Sequence, residues 1–151
     1  MLINILFVDK ADTFRAPVAK FIFKNIIKSK NLSSFFFIDT AGLSELHEGE
    51  DMIDDAKNVL NENQIPYYMH ESERIKNSDY ERFDYIITME ESQKVELINI
   101  FGGDNEYKIS KLLDYVDDSH DIEFPKNGDY SECYNDLAIG CQALVDKILE
   151  K

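Results

Sequence analysis

Basic residues are scarce in this chain: 16 Lys and Arg stand against 30 Asp and Glu, a net charge of −14. A field of that sign repels nucleic acid, anionic lipid and phosphorylated substrates, so neither nucleic-acid nor membrane binding is expected. No basic stripe interrupts it on reading the sequence. Much of the acidic excess is of the kind that solvates helix faces, and the partner such a surface would suit is a basic protein. Long apolar runs are missing too. None nears the roughly 18 residues of a membrane span, and the run after Met1 meets Asp9 too soon for a signal peptide, so the expected location is the cytoplasm. Cysteine is limited to Cys133 and Cys141, eight apart in a helical pattern, which suits buried thiols better than a disulfide or a metal site. Gly and Pro number six and three against ten Phe and eight Tyr, with 44% hydrophobic residues, which excludes a disordered chain. The 151 residues suit one domain over 1–151 that buries about two-thirds of its unfolded surface.

What is present alternates between two periods. Leu2 to Val8 is apolar except for Asn4 and reads as a strand buried on both faces. Pro17 fits the first turn of a helix carrying Val18, Phe21, Ile22, Ile26 and Ile27 at helical spacing. Phe35 to Asp39 reads as a second buried strand ending in Thr40-Ala41-Gly42. Asp51 to Asn63 follows as a helix with Ile53, Ala56, Val59 and Leu60 inward. Tyr85 to Met89 is a third strand, and Glu91 to Phe101 a helix with Val95, Ile98 and Phe101 on its inner side, closed by Gly102-Gly103. Ile109 to Leu113 offers a fourth strand. The acidic segment Asp114 to Asp129 has no period and reads as a long loop. A last helix from about Ser131 repeats Tyr134, Leu137, Ala138, Cys141, Leu144, Val145 and Ile148. The fold class is therefore α/β: a three-layer αβα domain with a four-stranded parallel sheet, and ligands are expected beyond the carboxyl ends of its strands.

One loop lies at such an end. VDKADTFRAP, running from Val8, joins a buried strand to a helix N-terminus, where free N–H groups and the helix dipole hold anions. Arg15 adds a permanently charged planar fork suited to phosphate, or pairs with Asp9 or Asp12 to hold the turn.

Several landmarks together resemble the low-molecular-weight protein tyrosine phosphatases over roughly residues 2 to 149. ILFVDKADTFRAPVAKFIF is similar to that family's first strand, C-x5-R-S phosphate loop and Pro-containing helix. IDTAGLSELHEGEDMIDDAKNVLNENQI is similar to its Ala-Gly and His-x-Gly segment and amphipathic helix. HESERI from His70, followed by FDYIITMEESQ, matches its later His and strand. IEFPKNGDYSECYNDLAIGCQALVDKI aligns with its C-terminal loop and helix.

The resemblance implies a phosphotyrosine protein phosphatase I-like fold with a phosphate loop of Asp9, Lys10, Ala11, Asp12, Thr13, Phe14 and Arg15. It implies that a cysteine thiolate attacks phosphorus, that loop amides and Arg15 hold the oxygens, and that an aspartic acid protonates the leaving group. Asp9 stands at the nucleophile position and Phe124 at the general-acid position, where it has no proton to give. Ala16 replaces a hydroxyl, Ala11 and Asp12 replace Gly and Asn, and Lys126 and Asn127 replace paired tyrosines that would clamp an aryl substrate. A Cβ at position 11 restricts the backbone if that residue must be left-handed. The expectation is a pseudophosphatase with a binding or regulatory role and weak or absent phosphate binding. Ionised Asp9 would accept the loop amides and the Arg15 guanidinium as a built-in anion, with Asp12 adding negative charge.

Two alternatives keep catalysis. One is a metal-assisted phosphatase with Asp9 as nucleophile and Asp12 as acid, similar to the Asp-x-Asp-x-Thr motif of haloacid-dehalogenase-type enzymes but one residue too long. The other is an active tyrosine or aryl phosphatase that recruits another nucleophile, for which Cys133 and Cys141 sit in a core helix. His47 and His70 correspond to scaffold positions near the loop. His120 among Asp117, Asp118 and Asp121 could hold a metal, but such loops ordinarily bind water; neither a metal nor a cofactor is expected.

Overall fold

The computed structural model describes residues 2–150. Four strands, β1 (Ile3–Asp9), β2 (Phe36–Gly42), β3 (Tyr85–Thr88) and β4 (Ile109–Lys111), form one parallel sheet in the order β2-β1-β3-β4. The five helices are α1 (Arg15–Ser29), α2 (Asp54–Glu62), the single-turn α3 (Asp79–Arg82), α4 (Glu91–Phe101) and α5 (Tyr130–Leu149).

Strand alternation builds two cores. Ile5 and Phe7 of β1 face one side, joined by Phe21 and Phe23 of α1, Leu60 of α2, and Leu137 and Leu144 of α5. Leu6 and Val8 face the other, with Phe83, Ile86 and Leu97. The central strand is thus buried on both sides, which explains its unbroken apolar run. None of the described helices is long and apolar enough to cross a membrane.

Four sequence expectations change. β2 is an edge strand, so Phe37 is left 40% exposed and stacks on Phe83 instead of being fully buried. In α4 the buried apolar residue is Leu97, whereas Val95 is half-exposed. β4 stops at Lys111, where Leu112–Tyr115 forms a 3-10 turn packed on α5. The long acidic loop is anchored midway, since Ile122 is buried and its N–H donates to Met89 O at 2.9 Å. The left-handed glycine that closes α4, Gly102, stands where its sequence placed it.

Candidate functional site

The segment between β1 and α1 curls into a closed loop at the carboxyl end of the central strand. Asp9, the last residue of β1, is only 2% exposed. Its Oδ1 accepts the Asp12 N–H at 2.6 Å and its Oδ2 accepts the Ala16 N–H at 2.8 Å, so the carboxylate sits inside the turn. Burial pushes its pKa above the ordinary 3.8 and the nearby Asp12 adds to this, against the opposing pull of Arg15 and the two amides. Among the described residues no acceptor is paired with the amides of Ala11, Thr13 or Phe14.

The left-handed residue is Asp12 (φ 59), not Ala11, so the Cβ at 11 is no obstacle. Asp12 also points away from the loop's mouth. Its carbonyl accepts the Ser72 hydroxyl at 2.6 Å and lies 2.8 Å from His70 Nε2. Its carboxylate lies 3.1 Å from the same nitrogen and accepts the Glu73 N–H at 3.0 Å. Burial works against a charged His70, yet the Asp12 contacts outweigh it and raise its pKa above 6.5. Asp12 is fully buried, with its carboxylate turned to His70 and the Glu73 amide.

Beneath the loop, Gly42 approaches so closely that a Cβ there would lie 2.9 Å from Ala11 C. Ser44 N–H donates to Lys10 O and Ile53 N–H to Thr13 O, tying the loop to the segments after β2 and before α2. The sequence marked His70 as scaffold and Gly42 as a strand end; Ser72 it passed over, because a lone buried serine carries no pattern.

Arg15 does not pair with Asp9. Its Nη1 donates to Glu90 Oε2 at 2.5 Å and to Ile122 O at 2.8 Å, while its Nε is buried without a partner among the described residues. Glu90 is held in turn by the Gln93 side-chain amide at 3.2 Å. Glu90 caps the N-terminus of α4 and was missed because nothing in the sequence relates it to a residue 75 positions earlier.

Phe124 lies against the loop, with its ring 5.9 Å from that of Phe14 and the Arg15 guanidinium carbon 5.9 Å from its centroid. Tyr130 completes a three-ring cluster, so the rim is aromatic although Lys126 and Asn127 are not. A cavity of about 320 Å³ opens here between Asp9, Arg15, His47, Ile53 and Phe124. Cys133 and Cys141 are buried; burial raises the Cys133 thiol to about 12 and Cys141 still higher, so neither is a ready nucleophile. His120 turns toward Asp136 at 3.4 Å, and Asp121 toward Lys111; among the described residues no group of three or more His, Cys, Asp or Glu could hold a metal.

A buried parallel sheet whose central strand delivers a closed, amide-lined turn and an arginine to a helix N-terminus defines the class of α/β proteins with an anion-cradling loop. Within that class, the model of the low molecular weight phosphotyrosine protein phosphatase family matches residues 4–151, and the chain belongs to this family. It is 29% identical over 150 residues to the low molecular weight protein-tyrosine-phosphatase YfkJ of Bacillus subtilis, covering 97% of this chain and 96% of that one. It is 27% identical to the low molecular weight phosphotyrosine protein phosphatase of Sus scrofa, covering 96% and 95%. The crystal structure of YfkJ superposes with a TM-score of 0.95 over 99% of this chain and 96% of its own.

Proposed function

We propose that this chain acts in the cytoplasm as a non-hydrolysing member of its family, a pseudophosphatase in which Asp9 replaces both nucleophile and bound anion. The observation that carries the reading is the pair of amide hydrogen bonds from Asp12 and Ala16 to the two Asp9 oxygens, which occupy donors an anion would use and pull toward the ionised carboxylate against the stronger push of burial. A carboxylate so placed is tied at both oxygens and nearly inaccessible, and it is a poorer nucleophile toward phosphorus than a thiolate. Phe124 has no proton for a leaving group. The guanidinium half of the built-in-anion idea is replaced by the Arg15–Glu90 pair, which takes one donor edge of the fork away from any incoming phosphate.

The magnitude decides against tight phosphate binding. Two like charges about 4 Å apart cost roughly 4 kcal/mol at an effective dielectric of 20. That is about a thousandfold in affinity. The free loop amides and the unpartnered Arg15 Nε offset part of this. Calorimetry with orthophosphate at neutral pH should give binding weaker than millimolar, and micromolar affinity would overturn the reading.

The role left to such a scaffold is binding. Beside Phe124 a cavity of about 470 Å³ is lined by Asp121, Glu123, Asp129, Glu132 and Asp136, which suits a basic protein segment docking across the loop.

A further inference from the structure

On a chain this acidic, several unpaired cations gathered on one helix face are informative. All three arginines are paired, as are Lys57, Lys76, Lys108, Lys111, Lys126 and Lys147. Lys20, Lys24 and Lys28 are not: among the described residues, no carboxylate oxygen lies within 4.0 Å of any of them. They recur at four-residue steps along α1, about 6 Å apart along the axis, and form a basic stripe on a chain expected to carry none.

The three line a cavity of about 420 Å³ between α1 and the outer edge of β2, together with Tyr68. It lies off the Asp9 loop and shares none of the residues that hold it. Lys20 is 9% exposed, and its ammonium has aromatic faces for neighbours: the Tyr68 centroid at 5.3 Å and the Phe21 centroid at 5.5 Å. Lys24 donates to Tyr68 Oη at 2.7 Å and lies 5.1 Å from its centroid. Burial alone would raise the Tyr68 pKa, but the Lys24 hydrogen bond and the two ammonium charges outweigh it and lower it, a measure of the local positive potential. The one carboxylate on the cavity wall, Asp39, accepts its neighbour's amide, Thr40 N–H, at 2.8 Å.

The strand edge does not favour an added peptide strand. Gly42 uses both its N–H and C=O on the 73–75 segment, so by two-residue alternation Thr40, Ile38 and Phe36 face outward as well. Of these, Phe36 N–H is taken by Ser33 O and Thr40 N–H by Asp39. Cations, and not backbone donors, dominate the cavity.

We infer that the groove formed by Lys20, Lys24, Lys28 and Tyr68 is a second, separate anion site that binds an oligophosphate, either free or as the diphosphate of a nucleotide. A single phosphate spans two neighbouring ammonium groups; two linked phosphates reach all three, and each charge-assisted contact contributes about tenfold in affinity.

Calorimetric titration of pyrophosphate into the full chain tests this, with Lys24→Gln/Lys28→Gln as the variant because both side chains lie at the surface and can change without disturbing the core. Expected is saturable one-to-one binding that falls at least about thirtyfold in that variant and is unchanged in Arg15→Gln. Equal or weaker binding of ADP would identify the free anion as ligand, and tighter binding lost in the same variant would identify a nucleotide; either supports the site. No heat at millimolar pyrophosphate, or binding lost in Arg15→Gln but kept in the lysine variant, would overturn it.

Discussion

Asp9 holds a carboxyl group at the end of the central strand, where water scarcely reaches it. Its folded pKa is raised, so the folded chain holds the Asp9 proton more tightly than the unfolded chain does. The sign follows from linkage: this contribution to stability is fully present below the unfolded value of 3.8 and is lost as pH rises through the higher folded value. An asparagine at the same place has no such dependence. Urea midpoints measured from about pH 4 to about pH 7 should show the wild type losing ground to Asp9→Asn as pH rises. A wild type that gains on the variant over that range would contradict the placement of Asp9.

At the scale of elements, the loop is shaped less by its own residues than by what supports it. β2 delivers Gly42 beneath Ala11, and the segment before α3 delivers His70 and Ser72 to the Asp12 carbonyl. Gly42→Ala places a methyl group 2.9 Å from a backbone carbon, which cannot yield as a flexible side chain would. A loss of about 1–3 kcal/mol in unfolding free energy is expected from such overpacking; a change of a few tenths would show that the loop floats free of β2. Much of this architecture was legible. Strand runs and helical spacing located all four strands and four of the five helices described, because burial on both faces leaves an unbroken apolar run in a strand and burial on one face a periodic stripe in a helix. α3 is one turn long and leaves none. Other features escaped for a common reason. That Phe37 is exposed depends on which strand lies at the edge, that Leu97 displaces Val95 depends on how α4 rotates against the sheet, and the Arg15–Glu90 pair joins residues far apart in sequence. The three lysines of α1 were visible as letters, but their lack of acidic neighbours is a property of the folded surface.

Across the whole molecule, the net charge of −14 repels itself. At 0.01 M salt the screening length is about 30 Å, against about 8 Å at 0.15 M. The melting temperature should therefore rise by several degrees between those concentrations; a fall would mean that the ion pairs outweigh the repulsion. The same field discourages anionic substrates at the Asp9 loop and makes the unpaired lysines of α1 conspicuous. The claim on which the functional reading turns is that Asp9 has taken the place of the attacking group without taking over its work. The most direct test is hydrolysis of para-nitrophenyl phosphate by the purified wild-type chain, with no metal added. Turnover indistinguishable from the uncatalysed rate is expected, whereas turnover at a rate typical of its active relatives, abolished in Asp9→Asn, would contradict it.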